Sequence, residues 1–489
     1  MRSAELVVHV FTPLDGGPLG ERGYTLLREL WHAGREELGL SRPASAIDVP
    51  TELPPSVSAF APGALLAVQQ APADGGGVFQ SVLRRHQGLL CLSAVLAPGP
   101  DGRADGFDWA PLEARWERVS APSHSDLLDE TRIYQGLLPA FDVLEGYPHA
   151  ATPELAAACA PALPRFDRAP GWESRGASTI SGFAVWEPGA GADHRALRRL
   201  IVLGAADREA SLGAWTWSAG DTAPAPLALY LAQAAKMRLQ GRVWAGGRTA
   251  ERLRRRLDGA ATRLGDRLAA AGLLGVDRAP GAAGLVDPDL ADGLARLRAE
   301  VFHEVSVRTT TEDLRRNVEI AAANMRALTH REVIPTGYAD PFREDQECAE
   351  HLVGLLADAQ AFLHGAGRRA REVARVCARL GVLVAPAAGA PVDVRLTGED
   401  RLALLDELAD VYADPVRARR LVIDLGAPRR HLPVPEGHSP RDWWAEVLHE
   451  LESGLVATPV RGVLRAALAS YPHNVTFRAI AARYGEKSP

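Results

Sequence analysis

The chain has 489 residues, enough for two to four domains, with 47% hydrophobic and 24% charged residues, as in an ordinary globular protein. Its net charge of -6 gives no reason to expect nucleic acid. No apolar run approaches the roughly 18 to 20 residues of a membrane helix, no basic-then-apolar leader opens the chain, and the four cysteines share no metal-ligand or disulfide-framework spacing, so a soluble, cytoplasmic protein in a reducing compartment, without membrane contact, is expected.

Residues 6–11, Leu-Val-Val-His-Val-Phe, read as a buried strand. Residues 22–38 follow with helical spacing at Leu26, Leu27, Leu30 and Leu38. Residues 65–70 predict a second strand, 79–86 a short helix and 89–96 a third strand. Residues 98–106 are a Gly/Pro loop by composition. Residues 109–119 predict a helix with Leu112 and Trp116 on one face. Residues 137–172, rich in Pro and Ala, read as irregular, and 182–186, 200–203 and 214–217 as three more strands. Short strands with intervening helices predict one or two α/β sandwiches, with strand order left open. Asp129, Glu130 and Arg132 are a candidate polar pocket near the sheet.

The middle of the chain turns helical. Residues 225–243 are followed by regular apolar steps at Leu253, Leu257, Ala261, Leu264, Leu268 and Ala271, broken by the Pro/Gly stretch 278–284. Spacing resumes at Leu290, Leu294, Leu297, Val301 and Val305, then at Leu314, Val318, Ala321, Met325 and Leu328. Thr310 with Asp313 has capping-box spacing, which marks a break near Val307. Asp340-Pro341 opens a third long helix on Leu352, Leu355, Ala359, Phe362, Ala366, Ala370, Val373, Cys377 and Leu380, closed by Gly381. Short turns make the long helices antiparallel, each spanning roughly 60 Å at 1.5 Å per residue. An intramolecular three-helix bundle stands against a homodimerising stalk or a signal-transmitting lever. The Ala/Pro-rich residues 382–394 read as a flexible link.

The last ninety residues announce each helix. Asp414-Pro415, Ser439-Pro440 and Thr458-Pro459 place an oxygen-bearing cap before a proline, and Thr397 with Asp400 and Ser439 with Asp442 have capping-box spacing. Gly426 and Gly454 mark helix ends. Apolar stripes run through Leu402, Leu405, Leu408 and Tyr412; Ala418, Leu421, Val422 and Leu425; Trp443, Trp444, Val447, Leu448 and Leu451; Val460, Val463, Leu464, Ala467, Leu468 and Tyr471; and Phe477, Ile480 and Tyr484. Residues 429–432 make a short third turn. Six short helices with stripes this wide must pack on one another.

The runs Leu408-Ala409-Asp410-Val411-Tyr412, Ala418-Arg419-Arg420-Leu421, Asp442-Trp443-Trp444-Ala445-Glu446-Val447-Leu448 and Tyr471-Pro472-His473-Asn474 resemble the effector-associated domain, type 1, a death-like six-helix adaptor of bacterial conflict systems. The resemblance implies homotypic pairing that brings an effector to a sensor, and no catalytic residue. Phe79-Gln80-Ser81-Val82-Leu83-Arg84-Arg85, Leu89-Leu90-Cys91-Leu92, Trp109, Trp116, Asp129-Glu130-Thr131-Arg132-Ile133-Tyr134 and Tyr230-Leu231-Ala232-Gln233-Ala234-Ala235-Lys236-Met237-Arg238 resemble the CASPASE and TPR-repeat-associated (CATRA) proteins. These are components of predicted actinobacterial conflict systems, encoded near caspase-like or TPR effectors.

The fold class is therefore α+β: an N-terminal α/β sandwich-like domain (1–220), a long antiparallel helical bundle or coiled coil (221–381), a link (382–396) and a death-like helical bundle (397–484). In the last of these, Trp443, Trp444 and Tyr471 are assigned to the core, so the contact surface falls to charge. Glu399, Asp400, Asp406, Glu407 and Asp410 crowd the first helix, and Arg417, Arg419, Arg420, Arg429 and Arg430 the second helix and the turn after it. Segregated signs suit a head-to-tail contact through Asp406, Asp410, Arg417, Arg419, Arg420 and Arg430. No Gly-x4-Gly-Lys-Ser/Thr, His-Glu-x-x-His or Gly-x-Ser-x-Gly occurs; the glycine pair Gly246-Gly247 leads to Arg248 and no lysine. The expected protein is a non-catalytic adaptor or sensor without cofactor or metal. Its partners would be effectors with a matching domain (caspase-like or other proteases, TPR proteins) or further copies of itself. A small-molecule or nucleotide sensor, or an enzyme with an unrecognised site in the α/β domain, is the alternative.

Overall fold

The computed structural model describes residues 3–14, 18–43, 49–57, 64–72, 77–99, 107–120, 129–138, 151–189, 197–218, 222–273, 288–334, 339–380, 393–394, 396–425, 427, 432, 439–452 and 458–484. They fall into two compact units, Met1–Leu274 with Arg296–Val376, and Gly275–Ala295 with Cys377–Pro489. The chain is mixed α and β.

The first unit is built on one sheet. In chain order its elements are β1 (Ser3–Pro13), α1 (Pro18–Leu38), β2 (Leu65–Gln70), β3 (Val78–His86), β4 (Leu89–Ala97), α2 (Ala110–Val119), β5 (Asp129–Leu138), α3 (Pro153–Cys159), β6 (Gly176–Thr179), β7 (Ala184–Trp186), β8 (Leu197–Ala205), α4 (Glu209–Thr216), α5 (Pro226–Trp244), α6 (Arg248–Ala270), α7 (Pro288–Thr329), β9 (Val333–Ile334) and α8 (Pro341–Arg379). Nine described strands pair in the order β2-β3-β4-β1-β5-β8-β7-β6-β9. Only β5 and β8 run parallel; the other neighbours are antiparallel. Strand β1 lies inside the sheet between β4 and β5, and its alternation serves both faces. Leu6, Val8 and Val10 join one core with Leu27, Leu30 and Trp31 of α1 and Leu112 and Trp116 of α2. Val7 and Phe11 join the other with Leu231 and Met237 of α5, Val318 and Met325 of α7 and Leu352 and Leu356 of α8. A sheet covered on both faces explains why β1, β4 and β5 are buried along nearly their whole length.

The structure corrects four local expectations. Residues 79–86 are strand β3 and not a helix; Phe79 and Leu83 are four apart, which keeps them on one face in either geometry. Residues 214–217 end helix α4 and are not a strand; the Thr216 hydroxyl bonds back to the Leu212 carbonyl at 2.9 Å. Within 137–172, read as irregular, lie the end of β5 and helix α3. There is one sheet and not two sandwiches.

The long helices meet as an antiparallel hairpin, α7 against α8. Arg371 pairs with Glu304 at 2.9 Å and Arg326 bonds Gln346 at 3.1 Å. Helix α6 flanks both, through Arg256 to Glu300 (3.4 Å) and Asp258 to Arg369. No break occurs near Val307. Thr309, Thr310 and Thr311 instead donate to the carbonyls four residues back, Val305, Ser306 and Val307, which keeps the hydroxyls inside the helix. The buried line of α8 runs through Phe342, Ala349, Leu356, Leu363, Ala370 and Cys377, every seventh residue, whereas Leu355 is 42% and Phe362 63% exposed. The expected stripe was therefore one residue off along half the helix.

One ionic knot ties α5 and α8 to the sheet. Asp345 of α8 accepts from Arg198 of β8 (3.0 Å), from Arg238 of α5, and from the Tyr230 hydroxyl (2.7 Å). Arg198 also holds Glu187 (3.1 Å), and Arg238 also reaches Asp129 of β5 (3.3 Å). Burial alone would raise the Asp345 pKa, but the guanidiniums of Arg198 and Arg238 outweigh it and hold the carboxyl below its usual value. Asp129 goes the other way: burial, only partly offset by Arg238 and Arg198, pushes it from 3.8 to about 6.

The second unit contains α9 (Gly398–Val411), α10 (Pro415–Asp424), α11 (Pro440–Glu450), α12 (Pro459–Ser470) and α13 (Val475–Arg483). The short turn at 429–432 lies outside the described residues save for the buried Leu432, and Gly426 and Gly454 lie outside them too. Leu404, Leu408, Trp444, Val447, Val463, Leu464 and Phe477 form the core. Thr397 and Ser439 cap α9 and α11 as expected, accepting from the Asp400 and Asp442 amides. Thr458 does not cap α12. Asp393 does so, accepting from the Val460 and Arg461 amides at 3.1 and 3.0 Å, so this end of the presumed link is held to the bundle.

Three measurements check this picture. Leu363→Ala should cost about 2–5 kcal/mol and Phe362→Ala under about 0.5 kcal/mol in denaturant unfolding. Asp345→Asn, which leaves two buried arginines short of a counter-charge, should cost about 3–5 kcal/mol. Asp129 binds its proton more tightly folded than unfolded, so its contribution is complete below pH 3.8 and lost as pH rises through about 6. The melting temperature of Asp129→Asn relative to the parent should therefore rise between pH 4 and pH 7; a flat difference would contradict the shift.

Candidate interaction surface

Several charged and nucleophilic side chains of the first unit are spent on its interior. Asp129, Glu130 and Arg132, expected to line one pocket, lie on a strand buried on both faces, and alternation splits them. Arg132 is clamped on the α2 face by Glu130 (2.7 Å), Glu113 (2.5 Å) and the Ser120 hydroxyl (3.2 Å), while the Trp116 indole donates to Glu130 at 2.9 Å. Asp129 faces α5 and meets Arg238. They form two internal networks and not a pocket.

His9, Ser93 and Cys91 also come together across β1 and β4. His9 contacts the Ser93 hydroxyl through Nδ1 and the Thr216 carbonyl through Nε2, both at 2.9 Å; Ser93 lies 3.5 Å from the Cys91 sulfur. Burial lowers the His9 pKa to about 4 and raises the Cys91 thiol to about 11. At neutral pH the imidazole is uncharged and the thiol protonated, and all three residues are at most 2% exposed. A thiol in that state is a poor nucleophile.

Chemistry that faces solvent is found on the second unit. Of the acidic residues of α9, Asp400 turns inward: it accepts from Tyr484 (2.7 Å), Thr397 (2.8 Å) and Arg483, and the Tyr484 hydroxyl foremost holds its pKa down. Glu407 accepts from the Asn474 side chain at 2.6 Å. Asp406 pairs with Arg441 of α11, both more than half exposed. Asp410 is exposed and makes no ion pair among the described residues. On α10, Arg417 reaches Asp414 at 3.8 Å, a weak surface pair. Arg419 is half-buried and Arg420 exposed, and neither makes an ion pair among the described residues. Arg430 and Arg429 lie outside the described residues. Folding thus divides the expected set. Asp406 and Arg417 have local partners, and Asp410, Arg419 and Arg420 keep their charge outward. The Asp406–Arg441 pair joins positions 35 apart, beyond any helical period. Trp443 and Trp444 are buried, at 3% and 0% exposure, and Tyr412 packs edge-on against Trp444 and Tyr471.

No helix among the described residues is long and apolar enough to cross a membrane, and no group of three or more metal-ligating side chains occurs among them. The CASPASE and TPR Repeat-Associated N-terminal domain family matches residues 5–220, the corresponding C-terminal domain family matches 225–370, and Effector-associated domain 1 matches 394–485. Neither the curated proteins nor the solved structures yield a match to the chain. With most of its length covered by the two CATRA domain families, the chain belongs to the CASPASE and TPR repeat-associated (CATRA) proteins of conflict systems, and it carries an effector-associated domain 1.

Proposed function

We propose that this CATRA protein is a non-catalytic adaptor that recruits an effector by pairing its effector-associated domain with a like domain on that effector. The observation that carries the proposal is the outward charge of that domain, Asp410 on α9 and Arg419 and Arg420 on α10, standing on a bundle whose aromatic residues are all given to its core. Unpaired charges of opposite sign on neighbouring helices favour a head-to-tail contact, which orients two copies and speeds their encounter more than it tightens their grip. The same contact allows copies of this chain to assemble with one another. The partners are effectors with a matching domain, a caspase-like or other protease or a TPR protein, in the cytoplasm. The sealed, neutral state of His9 and Cys91 supports the absence of catalysis.

Full-length protein should capture an immobilised effector-associated domain of a caspase-like effector, and a chain ending near Arg395 should not. Arg419→Glu or Arg420→Glu should lower capture several-fold, about 1 kcal/mol per reversed charge, with melting temperature unchanged and the effect fading at high salt. Undiminished capture at low ionic strength would remove the charge argument; turnover of a substrate by the purified chain would remove the adaptor.

A further inference from the structure

Helix α6 carries seven arginines against three carboxylates. That is a surplus of four positive charges in a chain whose net charge is -6. Leu253, Leu257, Ala261, Leu264 and Leu268 are buried, so helical spacing turns the arginines outward. Thr249, Arg252, Arg255 and Arg256 line a cavity of about 420 Å³, within the roughly 300–1,000 Å³ of small-molecule sites.

The carboxylates in reach leave this cavity positive. Glu251 is shared between Arg254 (2.8 Å) and Arg255 (3.1 Å). Asp258 is shared between Arg254 (3.4 Å) and Arg369. Glu300 reaches Arg256 only at 3.4 Å. Arg252 makes no ion pair among the described residues; its Nε donates to the Arg248 carbonyl at 3.1 Å. Arg256 also contacts His303 Nδ1 through a terminal nitrogen at 3.1 Å, but the side chains of Arg255 and Arg256 are 68% and 53% exposed, which leaves N–H groups of both accessible. A guanidinium offers a flat fork of donors that matches phosphate oxygens two at a time. Three such forks and a hydroxyl around one cavity fit an anion with several phosphates better than one with a single charge.

We propose that this cavity on α6 binds a small polyphosphate ligand, either a nucleoside triphosphate or an inorganic polyphosphate chain, held by Arg252, Arg255 and Arg256 with Thr249 as a further donor. The site lies in the CATRA C-terminal region and is independent of the recruitment surface.

Calorimetric titration of the full chain with inorganic tripolyphosphate and with ATP tests it. Saturable one-to-one binding is expected, weakened about tenfold by Arg252→Ala and again by Arg255→Ala. Arg263→Ala, exposed on the same helix but outside the lining, should bind as the parent does. ATP binding more tightly than tripolyphosphate would identify a nucleotide; equal binding would identify the phosphate chain, and either outcome supports the site. Arg252→Lys, which keeps the charge, should restore part of the binding and separates lost contact from any loss of fold. Absence of saturable binding would overturn the proposal. An equal loss in Arg263→Ala would do the same, since it would mean diffuse attraction to the helix. Preference for a single-stranded oligonucleotide, growing with its length, would replace the small ligand by nucleic acid.

Discussion

Asp345, buried in the interior, accepts hydrogen bonds directly from two arginines and a tyrosine. Arg198 comes from the sheet, in the region matched by the N-terminal CATRA family; Arg238, Tyr230 and Asp345 come from helices in the region matched by the C-terminal one. The two matched segments are consequently joined in one body, which agrees with the compact unit that contains the first and most of the second. Buried ion clusters seldom add much net stability, because removing charges from water costs nearly what their attraction returns. Their use is specificity. An apolar patch would let α5 and α8 slide over the sheet, whereas three carboxylates and two guanidiniums interlock in one register. Asp129 shows the strain of the arrangement: it keeps its proton to about pH 6 because burial outweighs the arginines beside it.

The hairpin of α7 and α8 repeats this logic. Its seam holds Leu297, Glu304, Thr311, Val318 and Met325 at seven-residue steps, so two of five places are polar. Glu304 is fully buried and bound to Arg371 and Arg308. Gly367 lies opposite, where a Cβ would come within 2.8 Å of that carboxylate. A glycine facing a buried acid fixes which turn of one helix meets which turn of the other.

Helix starts were legible because the caps are local: Thr397 and Ser439 bond amides three residues on, and a three-residue rule finds them. Asp393 caps α12 from 67 residues away, which no window along the chain reveals. Strand β5 was missed because Asp-Glu-Thr-Arg reads as a polar loop; it is buried only because partners on two helical layers neutralise it. The α8 stripe was misplaced because Leu355-Leu356 and Phe362-Leu363 are adjacent apolar pairs, and composition does not say which member faces inward. The segregation of charge along α9 and α10 was legible in the sequence, but the Arg441 that engages Asp406 was visible only in three dimensions. The arginines of α6 are interleaved with its buried leucines, and the cavity that four residues of this helix line is a feature of the fold and not of the spacing.

These facts converge on a division of labour. In the first unit, several buried side chains able to do acid–base or nucleophilic work are locked against one another: His9 with Ser93, Glu130 with Arg132, Asp129 with Arg238. A group that must give or take protons needs access to its substrate and a pKa near the ambient pH, and burial has moved His9 and Cys91 away from both. What remains available is surface charge, on α9 and α10 of the second unit and on α6 of the first. Surface charge can recognise, orient and hold a partner, which is what the proposed adaptor role asks of those helices.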